Sequence, residues 1–351
     1  MNSDVESKRP IVTFFYFTSF RERGHALRIY YSPKYLGHSC NPYHPENPKR
    51  VERIINYLKS KGISDYIEPK EESREILELV HDPNYVNFVE EFSREGGEAL
   101  DPDTYLCRDS FSIALLSASG VRQAALSGED CFVVNRPPGH HATKDKGMGF
   151  CIFNNVAIAS ESLIDQGKAR KVMILDWDAH HGNGTQEIFY SREDVLYVSI
   201  HQDGRTLYPG TGFPEEVGAE EGEGYTVNIP LPPGAGDETY SYCFEEIVLP
   251  IADQFSPDHL LVSCGFDCHE EDYISSLRVT ERGFRYFASK LREMAPKITI
   301  ALEGGYNLNL IGELSYSVIS GYSSDKEIEI PHKKTEELER IKEVLSAYWS
   351  L

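Results

Sequence analysis

Val172-Met-Ile-Leu175 is a short apolar run that breaks into Asp176-Trp-Asp178-Ala-His180-His181-Gly-Asn183-Gly-Thr185. An uninterrupted apolar run of this length, bounded by polar and glycine residues, reads as a strand buried on both faces. The same passage recurs along the chain. Cys131-Phe-Val-Val134 leads into Arg136-Pro-Pro-Gly-His140-His141, and Val195-Leu-Tyr-Val-Ser199-Ile200 leads into His201. Leu260-Leu-Val262 leads into Gly265-Phe-Asp267, and Ile298-Thr-Ile-Ala-Leu302 into Glu303-Gly-Gly-Tyr306. Helix-length stretches separate the runs: Asn155 to Gln166, Tyr240 to Phe255 and Thr280 to Met294. Continuously apolar strands alternating with helices predict an α/β fold, a mainly parallel sheet with helices on both faces. In such sheets ligands bind beyond the carboxyl ends of the strands. The unusual residues of this sequence gather at those ends.

Outside this centre, Leu27 to Tyr31 reads as a strand, and His44-Pro-Glu-Asn-Pro48 as a loop rich in helix breakers. Lys49 to Ser60 carries Val51, Ile54, Ile55 and Leu58 on one face, the spacing of an amphipathic helix. Ser110 to Ser127 and Thr335 to Tyr348 are further helices. Residues 1–26 carry no clear pattern and are expected to be an N-terminal extension. Residues 27–351 are expected to be one catalytic domain.

The chain has 351 residues, 40% hydrophobic and 26% charged, which excludes a disordered chain, a collagen or a coiled-coil rod. With 35 basic and 56 acidic residues the net charge is −21. Such a surface repels nucleic acid and anionic membrane, and attracts cationic ligands. No apolar run reaches the ~20 residues of a membrane span. Lys8-Arg9 followed by Ile11 to Phe17 is too short for a signal peptide and lacks a cleavage site. Seven scattered cysteines, an odd number, point to a reducing compartment and a cytoplasmic protein. Cys264 and Cys268 have no second pair with which to make a zinc knot.

In a continued strand, residues two apart share a face, so Asp178 and His180 point together and Asp176 has the same parity. A carboxylate and an imidazole at one strand end, joined by Asp267 from another, would make a three-ligand metal site with an open fourth position. By itself the Asp-x-His triplet is a weak signal and reads more readily as a capping loop with solvated Asp and His. His140-His141, at a rigid Pro/Gly turn, can face a pocket as general base and acid, or divide into one core and one surface histidine. Asp176 and Asn183 are available to fix their tautomers. Tyr306, past a Gly-Gly turn, can donate to a developing oxyanion or simply pack as an aromatic. Gly149-Phe150 and Tyr208-Pro-Gly each set a ring beside glycine, as in core packing or in a narrow slot for an aliphatic chain.

Together, Arg-Pro-Pro-Gly-His140-His141, Gly149-Phe150-Cys151-Ile-Phe-Asn-Asn, Asp176-Trp-Asp178-Ala-His180-His181-Gly-Asn-Gly-Thr, Tyr208-Pro-Gly-Thr-Gly, Gly-Phe-Asp267 and Glu-Gly-Gly-Tyr306 resemble the zinc-dependent histone deacetylase superfamily, in the family's order. That superfamily includes acetoin-utilisation proteins and acetylpolyamine amidohydrolases. His44-Pro-Glu-Asn-Pro and His81-Asp-Pro-Asn-Tyr85 match as well, and the likeness spans roughly residues 27–320. It implies the arginase/deacetylase fold and hydrolysis of an N-acetyl amide on an acetylated cationic amine, protein lysine or polyamine. It implies Asp178, His180 and Asp267 as ligands of one Zn2+ (or Fe2+), and His140 and His141 together as the pair that divides the base and acid roles. Asp176 and Asn183 would stand behind that pair, with Tyr306 on the acetyl carbonyl. Phe150 and Tyr208, with Gly149 and Ile274, would wall the tunnel, and Asp103 would grip substrate at the rim. Asp176, Ser199 and Ile200 fall where family members hold a structural K+, and Arg50 matches an arginine near the acetate exit.

Two departures bear on substrate. Glu271-Asp272-Tyr273-Ile274 stands where the family usually has Gly-Asp-Pro-Leu, and Tyr208 stands where many members carry Phe. Asn183 resembles the class II and prokaryotic branch. An arginase-like dimanganese enzyme would need a further carboxylate at position 182, which is glycine. A non-catalytic acyl-lysine binder would be expected to lack a ligand or Tyr306, and this chain keeps all of them.

Overall fold

The computed structural model describes residues 26–39, 41 and 43–351. The expected extension therefore lies outside the described residues apart from Ala26, as does Cys40. Ten strands run in chain order: β1 Arg28–Tyr30, β2 Tyr66–Ile67, β3 Ala99–Asp101, β4 Thr104–Tyr105, β5 Cys131–Val133, β6 Val172–Asp176, β7 Val195–Gln202, β8 Thr226–Leu231, β9 His259–Cys264 and β10 Ile298–Leu302. Eight form one sheet in the order β2-β1-β5-β10-β9-β6-β7-β8, with every pairing parallel. β3 and β4 make a separate antiparallel hairpin.

The period of two divides each central strand between two cores. Met173 and Leu175 of β6, with Leu260 and Val262 of β9, pack into one. Val172 and Ile174, with Leu261, pack into the other. The first core is closed by the helices Lys49–Ser60, Glu281–Lys290 and Ile311–Tyr322, the second by Ser110–Leu126 and Asn155–Asp165. Both faces are thus covered, which is why these strands read as unbroken apolar runs. Tyr240–Phe255 is helical as expected, beginning at Asp237 and including a π-helical turn over Phe244–Val248.

Two sheet members were not legible as strands, and both are edges. β8, Thr-Val-Asn-Ile-Pro-Leu, contains a polar residue and Pro230. Proline lacks a ladder donor, so an edge position tolerates it. The two-residue β2 is too short to register as a pattern. The helices Pro83–Arg94 and Ile311–Tyr322 also went unassigned.

The central strands end together at one edge of the sheet. Asp176 closes β6, where it lies in register with Ser199 of β7 and Ser263 of β9. Gly265-Phe-Asp267 follows β9 and Glu303-Gly-Gly-Tyr306 follows β10. The chemistry-bearing loops therefore meet at the carboxyl end of the sheet.

Candidate metal and catalytic centre

The strand-parity argument for Asp178 and His180 is corrected by the backbone: β6 stops at Asp176, and both residues lie in the bend beyond it. They converge through side-chain contacts instead. His180 Nδ1 lies 3.1 Å from Asp178 Oδ1 and 3.0 Å from Asp267 Oδ2. Each carboxylate is anchored at its other oxygen by a backbone donor, Gly304 N to Asp178 Oδ2 at 2.8 Å and Ala179 N to Asp267 Oδ1 at 2.9 Å. One oxygen of each is thereby aimed at the same imidazole nitrogen. A Cβ at Gly304 would sit 2.4 Å from Asp267 Oδ2 and 2.5 Å from Asp178 Oδ2, and one at Gly265 would sit 2.1 Å from Asp178 Oδ2. Only glycine leaves that space open.

Two buried carboxylates and one imidazole nitrogen, without an arginine or lysine on them, are a donor set that fits a divalent transition metal and keeps a coordination position free. Without a cation, two carboxylates this deep are costly. The residues present therefore fit a zinc-like ion.

His140 and His141 stand beside this set, ring centroids 4.0 Å apart. His140 Nδ1 donates to Asp176 Oδ2 at 3.0 Å, and His141 Nδ1 to Asn183 Oδ1 at 2.8 Å. A carboxylate only accepts, so Asp176 fixes the proton on Nδ1 and leaves Nε2 as the working nitrogen. Asn183 does the same for His141 when its carbonyl faces the ring, an orientation assigned from the hydrogen-bond network. The two partners push the rings apart in basicity. Burial opposes charge on His140, but the Asp176 and Asp178 carboxylates outweigh it and raise its pKa to about 10. Burial, with the positive charge of His140 nearby, holds His141 well below the usual histidine range.

Tyr306 is buried, with the Arg50 guanidinium 4.9 Å over its ring and Phe150 edge-on at 5.7 Å. Burial pushes its hydroxyl well above the ordinary value, so it stays a donor. Phe150 also meets His44, and Tyr208 packs its ring against His141 at 5.2 Å. Both rings therefore border the histidine and tyrosine groups. Gly149 has φ +56° and its missing Cβ would strike the His141 ring at 2.4 Å. Phe150 itself holds φ +69°, a left-handed conformation that costs a side-chain residue about 1–2 kcal/mol.

Of the remaining expected residues, Asp103 is half-buried on the β3–β4 hairpin, its carbonyl accepting from His44 Nε2 at 3.0 Å. The next residue, Thr104, accepts from Phe150 N at 2.9 Å, which ties the hairpin to the Gly149-Phe150 turn. Ile274 is half-buried, while its neighbour Tyr273 lines the cavity at the mouth. The Ser199 hydroxyl pairs with His201 Nδ1 at 2.8 Å, and Ile200 is buried.

Of the groups that hold the tyrosine turn, sequence reasoning named Arg50 by resemblance alone, near an acetate exit, and missed the roles of the others. Asp272, buried, accepts at Oδ2 from Tyr306 N (2.7 Å) and Asn307 N (3.0 Å), and at Oδ1 from Ile274 N (3.1 Å). Arg50 donates to the carbonyls of Glu303 and, at 2.7 Å, Gly305. Glu46 receives Arg136 Nε at 2.6 Å and Arg50 Nη1 at 3.2 Å. Burial pushes the Glu46 carboxyl up, but the two guanidiniums overcome it and hold it at about 2. The Glu303 side chain turns to the histidine loop, accepting from Gly139 N at 2.7 Å and His140 N at 3.2 Å. Apart from Glu46–Arg50, four residues apart, and Asp272–Ile274, two apart, these contacts join residues that no short sequence spacing links. The position of Asp272, five residues past a metal-type aspartate, was the one available hint.

A histidine pair with its own acceptors, set beside a three-donor cage and a buried tyrosine, matches a family model. The model for the histone deacetylase domain covers residues 44–322. The chain belongs to the histone deacetylase family. It is 43% identical over 304 residues to a probable deacetylase of Archaeoglobus fulgidus, covering 82% of this chain and 83% of that protein. It is 39% identical over 329 residues to a probable deacetylase of Methanothermobacter thermautotrophicus, covering 92% and 99%. A crystal structure of the HDA15 HD domain superposes with a TM-score of 0.87 at 35% identity, over 92% of this chain and 97% of that one. The fold is thus the arginase/deacetylase-like α/β fold, and the chain is a deacetylase-family hydrolase, from a family that acts on acetylated substrates and depends on a metal. No helix among the described residues is long and apolar enough to cross a membrane.

Proposed function

We propose that residues 27–351 form a catalytic domain that hydrolyses the N-acetyl amide of acetyllysine side chains in proteins, with one Zn2+ per chain. The observation that carries this reading is the cage of Asp178, His180 and Asp267 beside two histidines that have different acceptors. In that cage zinc supplies Lewis acidity, polarising an amide carbonyl and making water a nucleophile near neutral pH.

The chain's own residues do the rest. His141, held neutral, accepts a proton from water at Nε2. His140, kept cationic by Asp176, delivers a proton from Nε2 to the departing amine. Tyr306 donates its O–H to the oxygen that gains charge as the carbonyl becomes tetrahedral. Phe150 and Tyr208 bound a narrow slot for a four-carbon chain and exclude water from it. Asp103 at the rim accepts from a substrate amide. Asp176, Ser199 and Ile200 are assigned to a structural K+ behind the cage. Six unpaired cysteines among the described residues favour a reducing, cytoplasmic setting.

The test is acetate release from acetyllysine peptides and from acetylated putrescine and spermidine, with bound metal counted. The reading expects the peptides to win in kcat/KM. A polyamine preference above about tenfold, 1.4 kcal/mol of transition-state binding, overturns it.

A further inference from the structure

A cavity of about 420 Å³ opens at the mouth of the site, with Tyr306 on its inner side and Tyr43, Asn47, Lys49, Tyr273 and Leu308 among its walls. Tyr43 is 94% exposed and Tyr273 67%, the two most exposed large hydrophobic residues described. Two such rings at one opening are out of place on a surface with nothing to bind.

The donors and acceptors around the cavity are unequal. Asn47 Nδ2 is committed to the carbonyls of His44 and Pro45, and Asn307 Nδ2 to that of Glu271. His44 uses Nδ1 on Glu46 and Nε2 on Asp103 O. Among the described residues the Lys49 ammonium has no ion pair or hydrogen bond, and the phenol hydroxyls of Tyr43 and Tyr273 have no hydrogen bond. Burial, with the Asp272 carboxylate beside it, raises the Tyr273 hydroxyl's pKa, which keeps it a donor. Among the described residues no carboxylate lines the cavity, although that of Asp272 stands behind Tyr273. The available groups are thus one cation and three hydroxyl donors, those of Tyr43, Tyr273 and, on the inner side, Tyr306, in a chain whose net charge is −21. The β3–β4 hairpin reaches the cavity wall through Asp103, whose backbone carbonyl accepts from His44, while Asp101 on the same hairpin is paired with Lys146 at 3.5 Å.

We propose that this cavity is a subsite for a carboxylate next to the acetyllysine in the substrate chain. The inference rests on the deacetylase reading and adds a preference to it. The carboxylate has two sources, an Asp or Glu side chain on a neighbouring residue or the free C-terminal carboxylate of the acetyllysine itself. In either case Lys49 supplies the charge, and Tyr43 and Tyr273 supply hydroxyl donors and flat walls.

The experiment compares kcat/KM for matched acetyllysine peptides at low ionic strength. One series carries Glu, Gln or Lys as the neighbour, on either side. A second ends at acetyllysine with a free carboxylate or an amide. An exposed ion pair predicts that the favoured carboxylate exceeds its neutral partner by roughly two- to fivefold, and that the gain shrinks with salt. The Glu and free-carboxylate arms identify the source. In Lys49→Glu the ratio of Glu to Lys peptides should invert. Because each ratio is taken within one protein, a general loss of activity cancels. An unchanged order in Lys49→Glu, or no carboxylate preference in either wild-type series, overturns the subsite. A metal-loaded wild-type chain that turns over no acetyllysine substrate, including one without neighbours, removes the deacetylase reading and the subsite with it.

Discussion

The floor of the site and its rim are built on opposite plans. On the floor, Asp178, Asp267, His140, His141 and Asp272 are buried, and each has named partners at fixed distances. On the rim, Tyr43, Tyr273 and Lys49 face solvent, and their polar ends are uncommitted among the described residues. A buried charge must be satisfied inside the fold, so the floor tolerates one arrangement. The rim has no such debt, and its residues can be chosen for what passes over them. Chemistry and selectivity are therefore separable here, and substitutions should divide accordingly.

The widest gap is expected between ligand and rim substitutions. Asp178→Ala and Asp267→Ala should lose both metal and turnover, while Tyr43→Ala keeps its metal. Elemental analysis of the three proteins checks this, and full metal in both aspartate variants breaks the assignment. Tyr306→Phe comes next. It should lower kcat by on the order of 10²–10³ with metal retained, the size of one lost oxyanion donor.

Asp272→Ala should lower kcat by about 10–100-fold, the range for groups that orient a functional residue rather than touch substrate. If it acts through Tyr306, the double variant with Tyr306→Phe should be little worse than Tyr306→Phe alone. Additive losses would make Asp272 a merely structural residue. In stability, removing Glu46 strands two buried guanidiniums, so Glu46→Ala should cost about 3–5 kcal/mol in denaturant unfolding. The exposed Tyr43→Ala should stay within about 0.5 kcal/mol. Equal costs would erase the contrast between floor and rim.

The last contrast concerns pH. Burial lowers His81, His201 and His259 to about 4, below the ordinary 6.5. Between those values the unfolded chain binds more protons than the folded one, so stability rises with pH and is lost on acidification. Each group contributes up to about 1.4 kcal/mol per pH unit. His38, lowered to about 3 by burial, acts with them, and Glu303, pushed up to about 7 by burial, opposes them. The Tm of the metal-loaded protein should fall steadily from pH 6.5 to 4.5, and a flat profile would contradict the assignment.

The interior of the fold was legible in the sequence because strands buried on both faces cannot hide their apolar runs. Edges were not, since β8 carries Asn228 and Pro230 where one side has no partner. The cage residues stood out because aspartate and histidine at the end of an apolar strand have no packing reason to be there. Their convergence in space was a weaker inference, because β6 stops before Asp178 and the parity argument fails. The clamps on the tyrosine turn were illegible for a different reason. Arg50 reaches Gly305, and Asp272 reaches Tyr306, across sequence distances that no local pattern encodes.

The central claim is that an ion held by Asp178, His180 and Asp267 is needed for hydrolysis of an acetyl amide. It is tested most directly by acetate release from an acetyllysine peptide, measured on one preparation as isolated, after chelation and after stoichiometric zinc is returned, with metal counted each time. The account predicts one ion per chain, loss of turnover with its removal and recovery with its return. Undiminished acetate release from metal-free protein would contradict it.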